Sequence, residues 1–206
     1  MIALCRKVMP LMDRISGHLT NEEILEENIL VEESRSDPKK FGKLYDRYFE
    51  AIFNFIFRRT DEEETAADLT SQTFIKALEN IKKYEFRGVP FSAWLFRIAT
   101  NEINKYYRKK NKKKIFSIEE DLVKGLISED TTDPIEDKLP MILQVLNEVP
   151  TQLVEILELR FFEGRSFKEI SYILEISESG AKMRTYRALE KIRQIVKLNK
   201  GDNEQS

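Results

Sequence analysis

The stretch from Ser166 to Lys197, SFKEISYILEISESGAKMRTYRALEKIRQIVK, constrains the chain most, because it reads as two helices joined by a tight polar turn. Ser166 and Glu169 stand at the spacing of a capping box, which would fix the start of the first helix. Ile170, Ile173 and Leu174 give that helix an apolar face. Glu175-Ile176-Ser177 then breaks the pattern, and Ser177 is placed to cap a second helix. On the second helix Ala181, Ala188, Ile192 and Ile195 recur at three- and four-residue spacing and should face a core. Lys182, Arg184, Arg187, Lys191 and Arg193 are left around the wetter sides. Seven cations and one acid, Glu190, lie between Lys182 and Lys200. That composition suits phosphate binding, although a helical hairpin with a solvated basic face would show the same pattern.

The rest of the chain narrows the choice. With 206 residues there is room for one large domain or two small ones, and seven Gly and six Pro are few enough to favour helices. No apolar run approaches the roughly 18 residues needed to span a bilayer. Met1–Met12 is interrupted by Arg6, Lys7 and Pro10, a poor signal peptide, so a cytoplasmic protein without membrane insertion is expected. One cysteine, Cys5, excludes an internal disulfide and, with His18 the one histidine, argues against a zinc site.

Charge comes in blocks. Glu22 to Asp37 holds seven acids and one Arg, Lys105 to Lys114 seven cations and no acid, and Glu119 to Asp137 eight acids and one Lys. Two basic blocks separated by an acidic one suggest two nucleic-acid contacts joined by a segment that avoids nucleic acid.

Residues 1–36 show a weak apolar pattern in Ile24, Leu25, Ile29 and Leu30 and read as a mobile or loosely docked acidic extension. From Phe41 to Arg58 the residues Phe41, Leu44, Tyr45, Tyr48, Ile52, Phe55 and Ile56 follow a helical template. A second helix should begin near Asp61, with Asp61, Glu62, Glu63 and Glu64 at its positive end. These carboxylates are the sharper candidates for a metal-dependent nuclease, with Asp68, but consecutive helical residues point in different directions. Leu69, Thr73, Ala77 and Leu78 should pack inward, leaving Asp68, Gln72, Lys76 and Glu79 as a polar row that is either solvated or a docking face.

KYEFRGVPF, Lys83 to Phe91, is a ring-rich loop marked by Gly88 and Pro90, and a third helix follows with Leu95, Ile98, Ala99, Ile103 and Tyr106 on one side. Phe91, Trp94, Tyr106 and Tyr107 beside Arg97, Lys105, Arg108, Lys109 and Lys110 combine flat faces for unstacked bases with cations for phosphates. Half of these rings should be structural. Residues 111–137 lose periodicity and turn acidic. Two helical segments, Leu139 to Leu146 and Val149 to Phe162, should then form a second domain of about four helices with the opening pair.

Taken together, these motifs make the chain resemble the RNA polymerase sigma factors of the extracytoplasmic-function group, from about Phe41 to Lys197. DLTSQTFIKALENI, Asp68 to Ile81, is similar to the family helix that binds the polymerase clamp helices. FRGVPFSAWLFRIATNEINKYYRKK, Phe86 to Lys110, is similar to the segment that captures and melts the -10 element. SFKEISYILEISESGAKMRTYRALEKIR is similar to the helix-turn-helix that reads -35 DNA. The chain departs from the family at Ser71-Gln72 for Gln-Glu, Lys105 for Asp, Glu175 for Gly in the turn, and Gly180-Ala181 for Thr-Val.

The resemblance implies an all-α fold of two small helical domains joined by a flexible acidic linker. Residues 1–36 would be an acidic extension, 37–112 the polymerase-docking and -10-melting domain, 113–137 the linker, 138–198 the -35-reading helix-turn-helix domain, and 199–206 a tail. It implies polymerase binding by Asp68, Leu69, Gln72, Thr73 and Phe74. It places Tyr84, Phe86, Arg87, Phe91, Trp94, Arg97, Asn101, Lys105 and Arg108 on -10 DNA, and Lys182, Met183, Arg184, Tyr186 and Arg187 on -35 DNA. The implied partners are core RNA polymerase, through the clamp helices of its largest subunit and the flap of the second largest, promoter DNA, and an anti-sigma factor. No catalytic residue, metal or cofactor is implied. The competing expectation is a stand-alone helix-turn-helix regulator that binds an operator without polymerase.

Overall fold

The computed structural model describes residues 19–110 and 150–203. Among these, residues 19–110 with 168–175 form one compact unit, and 150–167 with 176–203 the other. Every regular element described is a helix, and none is long and apolar enough to cross a membrane.

Helix α1, Asn21–Ser36, opens on a complete capping box: the Thr20 hydroxyl accepts from the Glu23 N–H at 3.2 Å, and the Glu23 carboxylate accepts from the Thr20 N–H at 2.7 Å. Here the structure departs from the expected loose extension, since Val31 is fully buried and Glu27 and Ser34 nearly so. The side chains that drew attention in the sequence face solvent instead, Leu25 at 56% and Ile29 at 62% exposure. Polar residues thus occupy two of the three buried positions of α1, which hides the helix from any hydrophobic pattern.

A single 3-10 turn, Pro38–Lys40, leads into α2, Phe41–Thr60. Asp61 takes the left-handed conformation (φ 53) and its N–H caps the Phe57 carbonyl at 2.9 Å, so α3 starts two residues later than the acidic run suggests, at Glu63–Asn80. Glu63 and Glu64 still occupy its first turn, where the helix dipole favours carboxylates. After the 3-10 turn Ile81–Lys83 and a loop, α4 runs Phe91–Lys110.

Helices α2, α3 and α4 pack pairwise around Leu44, Ile52, Phe55, Ile56, Leu69, Phe74, Leu95, Phe96 and Ile103, all at most 5% exposed. Each such side chain contributes about 1.5–3 kcal/mol when fully buried, as an upper estimate. Phe55 meets Phe96 edge-on at 4.8 Å, and the buried Arg59 guanidinium lies over the same Phe55 ring, 3.9 Å from its centre. Buried threonines need no distant partner: Thr70 donates to the Ala66 carbonyl at 2.7 Å and Thr73 to Leu69 at 2.8 Å. Along the flank of α2, Phe49, Phe53 and Phe57 stack at successive 6.0 Å separations, a ladder at four-residue spacing not read from the sequence.

In the other unit α5, Thr151–Leu157, continues as one π-helical turn, Glu158–Phe162, and the chain reverses at Gly164 (φ 60). Pro150 sits at the cap of α5, as a helix opener should. Helix α6, Phe167–Leu174, follows directly after Ser166 and from Lys168 on belongs to the first unit, whereas α7, Glu178–Asn203, lies in the second. The expected segment Leu139–Leu146, the linker and residues 1–18 lie outside the described residues, as do the side chains of Ile192, Arg193 and Ile195.

Candidate polymerase and nucleic-acid interfaces

The expected docking helix α3 divides cleanly. Asp68 and Gln72 are exposed, whereas Leu69 (5%), Thr73 (0%) and Phe74 (4%) are core. These three therefore hold the helix in place and do not present themselves to a partner. Leu78, expected inside, is 38% exposed, and Ile75 is 56% exposed. The outward face is consequently part apolar, with Ser71, Ile75 and Glu79 joining Asp68 and Gln72. Lys76 does not stand in this row as a free cation: it pairs with the nearly buried Glu102 of α4. The sequence reading passed over Ile75 and turned Leu78 inward because apolar spacing alone does not say which apolar residues a neighbouring helix covers.

The loop and the start of α4 form a ring cluster. Tyr84, Phe91 and Trp94 lie within 5.0–5.4 Å of one another, tilted or edge-on. Phe91 at 1% and Tyr84 at 4% exposure are the floor of this cluster, so of the expected base-stacking rings in it only Trp94 shows surface. Burial pushes the Tyr84 phenol well above its ordinary pKa, which keeps it neutral. Phe86 and Arg87 are exposed on the loop, and Arg87 pairs with Glu85 at 3.0 Å. Gly88 has φ 65, which lets the loop turn where a side chain would be strained.

Trp94, Arg97, Asn101, Lys105 and Arg108 follow one another at spacings of three and four residues, so they form one stripe along α4 that starts at the ring cluster. Asn101, Lys105 and Arg108 are exposed, and Trp94 and Arg97 half-buried. Lys83, Tyr84, Trp94, Arg97 and Asn101 line a single cleft at its upper end. A flat indole beside guanidinium and amide groups, continued by cations, is a surface fitted to unstacked bases and their phosphates. The last two rings separate: Tyr107 is buried and donates to the Arg59 carbonyl at 2.5 Å, whereas Tyr106, read from the sequence both on the apolar side of the helix and among the base-facing rings, is half-exposed with the Lys110 ammonium 4.6 Å from its centre.

In α7, Ser177 caps as expected, its hydroxyl accepting from the Gly180 N–H at 3.0 Å. Ala181, Thr185 and Ala188 are buried at four- and three-residue spacing. Thr185, not foreseen, satisfies its hydroxyl on the Ala181 carbonyl at 3.0 Å. This leaves Lys182, Met183 (52%), Tyr186 (47%) and Arg187 exposed and Arg184 half-buried. All five expected -35 residues thus lie off the buried stripe. Lys182 pairs with Glu178 one turn earlier at 2.8 Å, an exposed contact that phosphate can displace. In the preceding turn Glu175 holds φ 55, the left-handed geometry that glycine adopts more readily.

Comparison with known proteins shows the family of the chain. Residues 44–113 match the family model for Sigma-70 region 2, and residues 139–192 that for Sigma-70, region 4. The chain is 34% identical over 152 residues to the RNA polymerase sigma factor YlaC of Bacillus subtilis (strain 168), covering 70% of this chain and 85% of that one. To the ECF RNA polymerase sigma factor SigM of the same organism it is 29% identical over 166 residues, covering 79% and 98%. With the ECF RNA polymerase sigma factor BldN of Streptomyces coelicolor (strain ATCC BAA-471 / A3(2) / M145) it shares 28% identity over 170 residues. That match takes in 81% of this chain and 64% of the longer BldN. Among solved structures, CnrH in complex with the cytosolic domain of CnrY shares the fold, with TM-score 0.56, 22% identity, and coverage of 84% of this chain and 97% of that one. RpoE in complex with the anti-sigma factor NepR from Bartonella quintana does so with TM-score 0.55, 21% identity, and coverage of 77% and 98%. The chain belongs to the RNA polymerase sigma factors of the extracytoplasmic-function group, proteins that direct transcription initiation at promoters.

Proposed function

We propose that this chain docks on the clamp helices of core RNA polymerase through the exposed side of α3, around Asp68, Gln72 and Ile75. Region 4, on the second-largest subunit's flap, then reads -35 DNA with Lys182, Met183, Arg184, Tyr186 and Arg187 of α7. Region 2 opens the -10 element, with Phe86, Arg87, Trp94, Arg97 and Asn101 holding unstacked bases and Lys105 and Arg108 the backbone. The observation that carries this reading is the unbroken stripe from Trp94 to Arg108 leading away from a ring cluster. Flipping a base costs a few kcal/mol, which stacking on an aromatic face, roughly 1–3 kcal/mol per base, offsets.

Neither DNA surface is large, so affinity should arise from tethering both to one polymerase, where the second contact is intramolecular. The protein has no catalytic chemistry of its own and works in the cytoplasm. RpoE is found in complex with the anti-sigma factor NepR, and we extend a partner of that kind to this chain. The test is run-off transcription from a promoter library with core polymerase. Transcripts sharing a -35 and a -10 motif support the proposal, and a protein that binds an operator duplex tightly while leaving polymerase inert points to a free-standing regulator.

A further inference from the structure

The ring loop is tied at both ends to α1. The Glu27 carboxylate, 2% exposed, accepts from the backbone N–H of Phe91 at 2.6 Å and from the Tyr48 hydroxyl, with the Arg47 guanidinium 3.6 Å away. Eight residues further along α1, roughly 12 Å by helical rise, Arg35 donates to the Tyr84 carbonyl and pairs with Glu32 at 3.0 Å. Phe91 and Tyr84 are the two ends of the loop that presents Phe86 and Arg87, and their rings are the floor under Trp94.

A carboxylate is a costly way to hold two helices together, because burying its charge forfeits hydration that an apolar side chain of similar size never needed. What it adds is direction. Its bond to Phe91 lies at the N-terminus of α4, where the first N–H groups have no partner in the helix and the dipole favours a negative charge. Arg35 likewise fixes one carbonyl, and with it the direction in which the chain leaves the 3-10 turn. Packing alone would allow the loop to slide, whereas two directional bonds at its ends set its height and tilt.

We propose that Glu27 and Arg35 of α1 are positioning residues for promoter melting, holding both ends of the Tyr84–Phe91 loop so that Trp94 and the loop side chains meet an unstacked base in one geometry. The proposal rests on the reading of that loop as the base-holding surface. It assigns α1, which lies before the residues matched by the region 2 model, a part in DNA opening and none in polymerase docking.

Trp94 is the chain's one tryptophan, so its emission and quenching report on the loop directly. Glu27→Leu, which keeps the packing and loses the acceptor, and Glu27→Gln, which keeps an acceptor oxygen, are compared with Arg35→Gln in the full-length protein. Each is measured for Trp94 fluorescence, core-polymerase affinity, and permanganate reactivity of promoter thymines at saturating holoenzyme. Glu27→Leu and Arg35→Gln are expected to shift the Trp94 spectrum and to lower thymine reactivity at least about tenfold, the scale on which small misplacements act. Polymerase affinity should hold, and Glu27→Gln should recover most of the reactivity. Normal melting in Glu27→Leu and Arg35→Gln would overturn the proposal, and so would loss of melting in step with loss of polymerase affinity. Should Glu27→Leu not fold, Arg35→Gln, whose side chain is 29% exposed, decides alone by the same criteria. Wild-type protein that binds no polymerase would be a different result, since it would sink the functional reading itself.

Discussion

The Tyr107 hydroxyl donates to the Arg59 carbonyl at 2.5 Å, joining the last turns of α4 and α2 across 48 residues of sequence. The bond lies in a layer where Tyr107 is 4% and Arg59 1% exposed, so water does not replace it when it is lost. Tyr107→Phe keeps the ring and removes the donor, leaving the buried carbonyl without it, and should destabilise the protein by about 1–3 kcal/mol. Thermal or urea unfolding of the full chain checks this. Core-polymerase binding below the transition should be unchanged.

Gly180 stands three residues into the cap of α7, and a methyl group built there would meet the Ser177 hydroxyl at 2.9 Å. Alanine would raise helix propensity by up to about 1 kcal/mol, but it would also turn the serine hydroxyl away from the N–H it caps, a loss of similar size. Gly180→Ala should therefore leave unfolding stability nearly unchanged in the wild type. In a Ser177→Ala background, with no cap to disturb, the same change should stabilise. Denaturation of the four variants forms the test.

On the proposed reading Lys182 and Arg184 meet backbone phosphate, so their joint replacement by Ala should weaken -35 duplex binding. Because each neutralised phosphate releases counterion, it should also flatten the logarithmic salt dependence by about 1–2 in slope. Holoenzyme binding to a promoter fragment across a salt series measures this. An unchanged slope removes both residues from phosphate contact.

How much was legible in the sequence differs by element for physical reasons. Helices α2, α3 and α4 could be read because their buried positions are mostly apolar and recur at helical spacing, and Ser177 because a cap has a local signature. Helix α1 escaped because it buries Glu27 and Ser34 and exposes Leu25 and Ile29, inverting the hydropathy signal. Its Thr20-x-x-Glu23 capping box was nevertheless readable. At the proposed -10 surface, residue type found the rings, but only packing sorts them: Tyr84 and Phe91 became floor, Trp94 surface, and Tyr107 an anchor. Leu69, Thr73 and Phe74 of α3 were sorted inward in the same way, because a motif names a helix whole while burial divides its faces.

The most direct test of the account is permanganate footprinting of a promoter bound by core polymerase with either wild-type protein or Trp94→Ala. The wild type should render -10 thymines reactive. Trp94→Ala should still form the polymerase complex yet lose most of that reactivity, since it removes stacking worth roughly 1–3 kcal/mol for a base held on the ring. Full thymine reactivity in the Trp94→Ala complex would contradict the account.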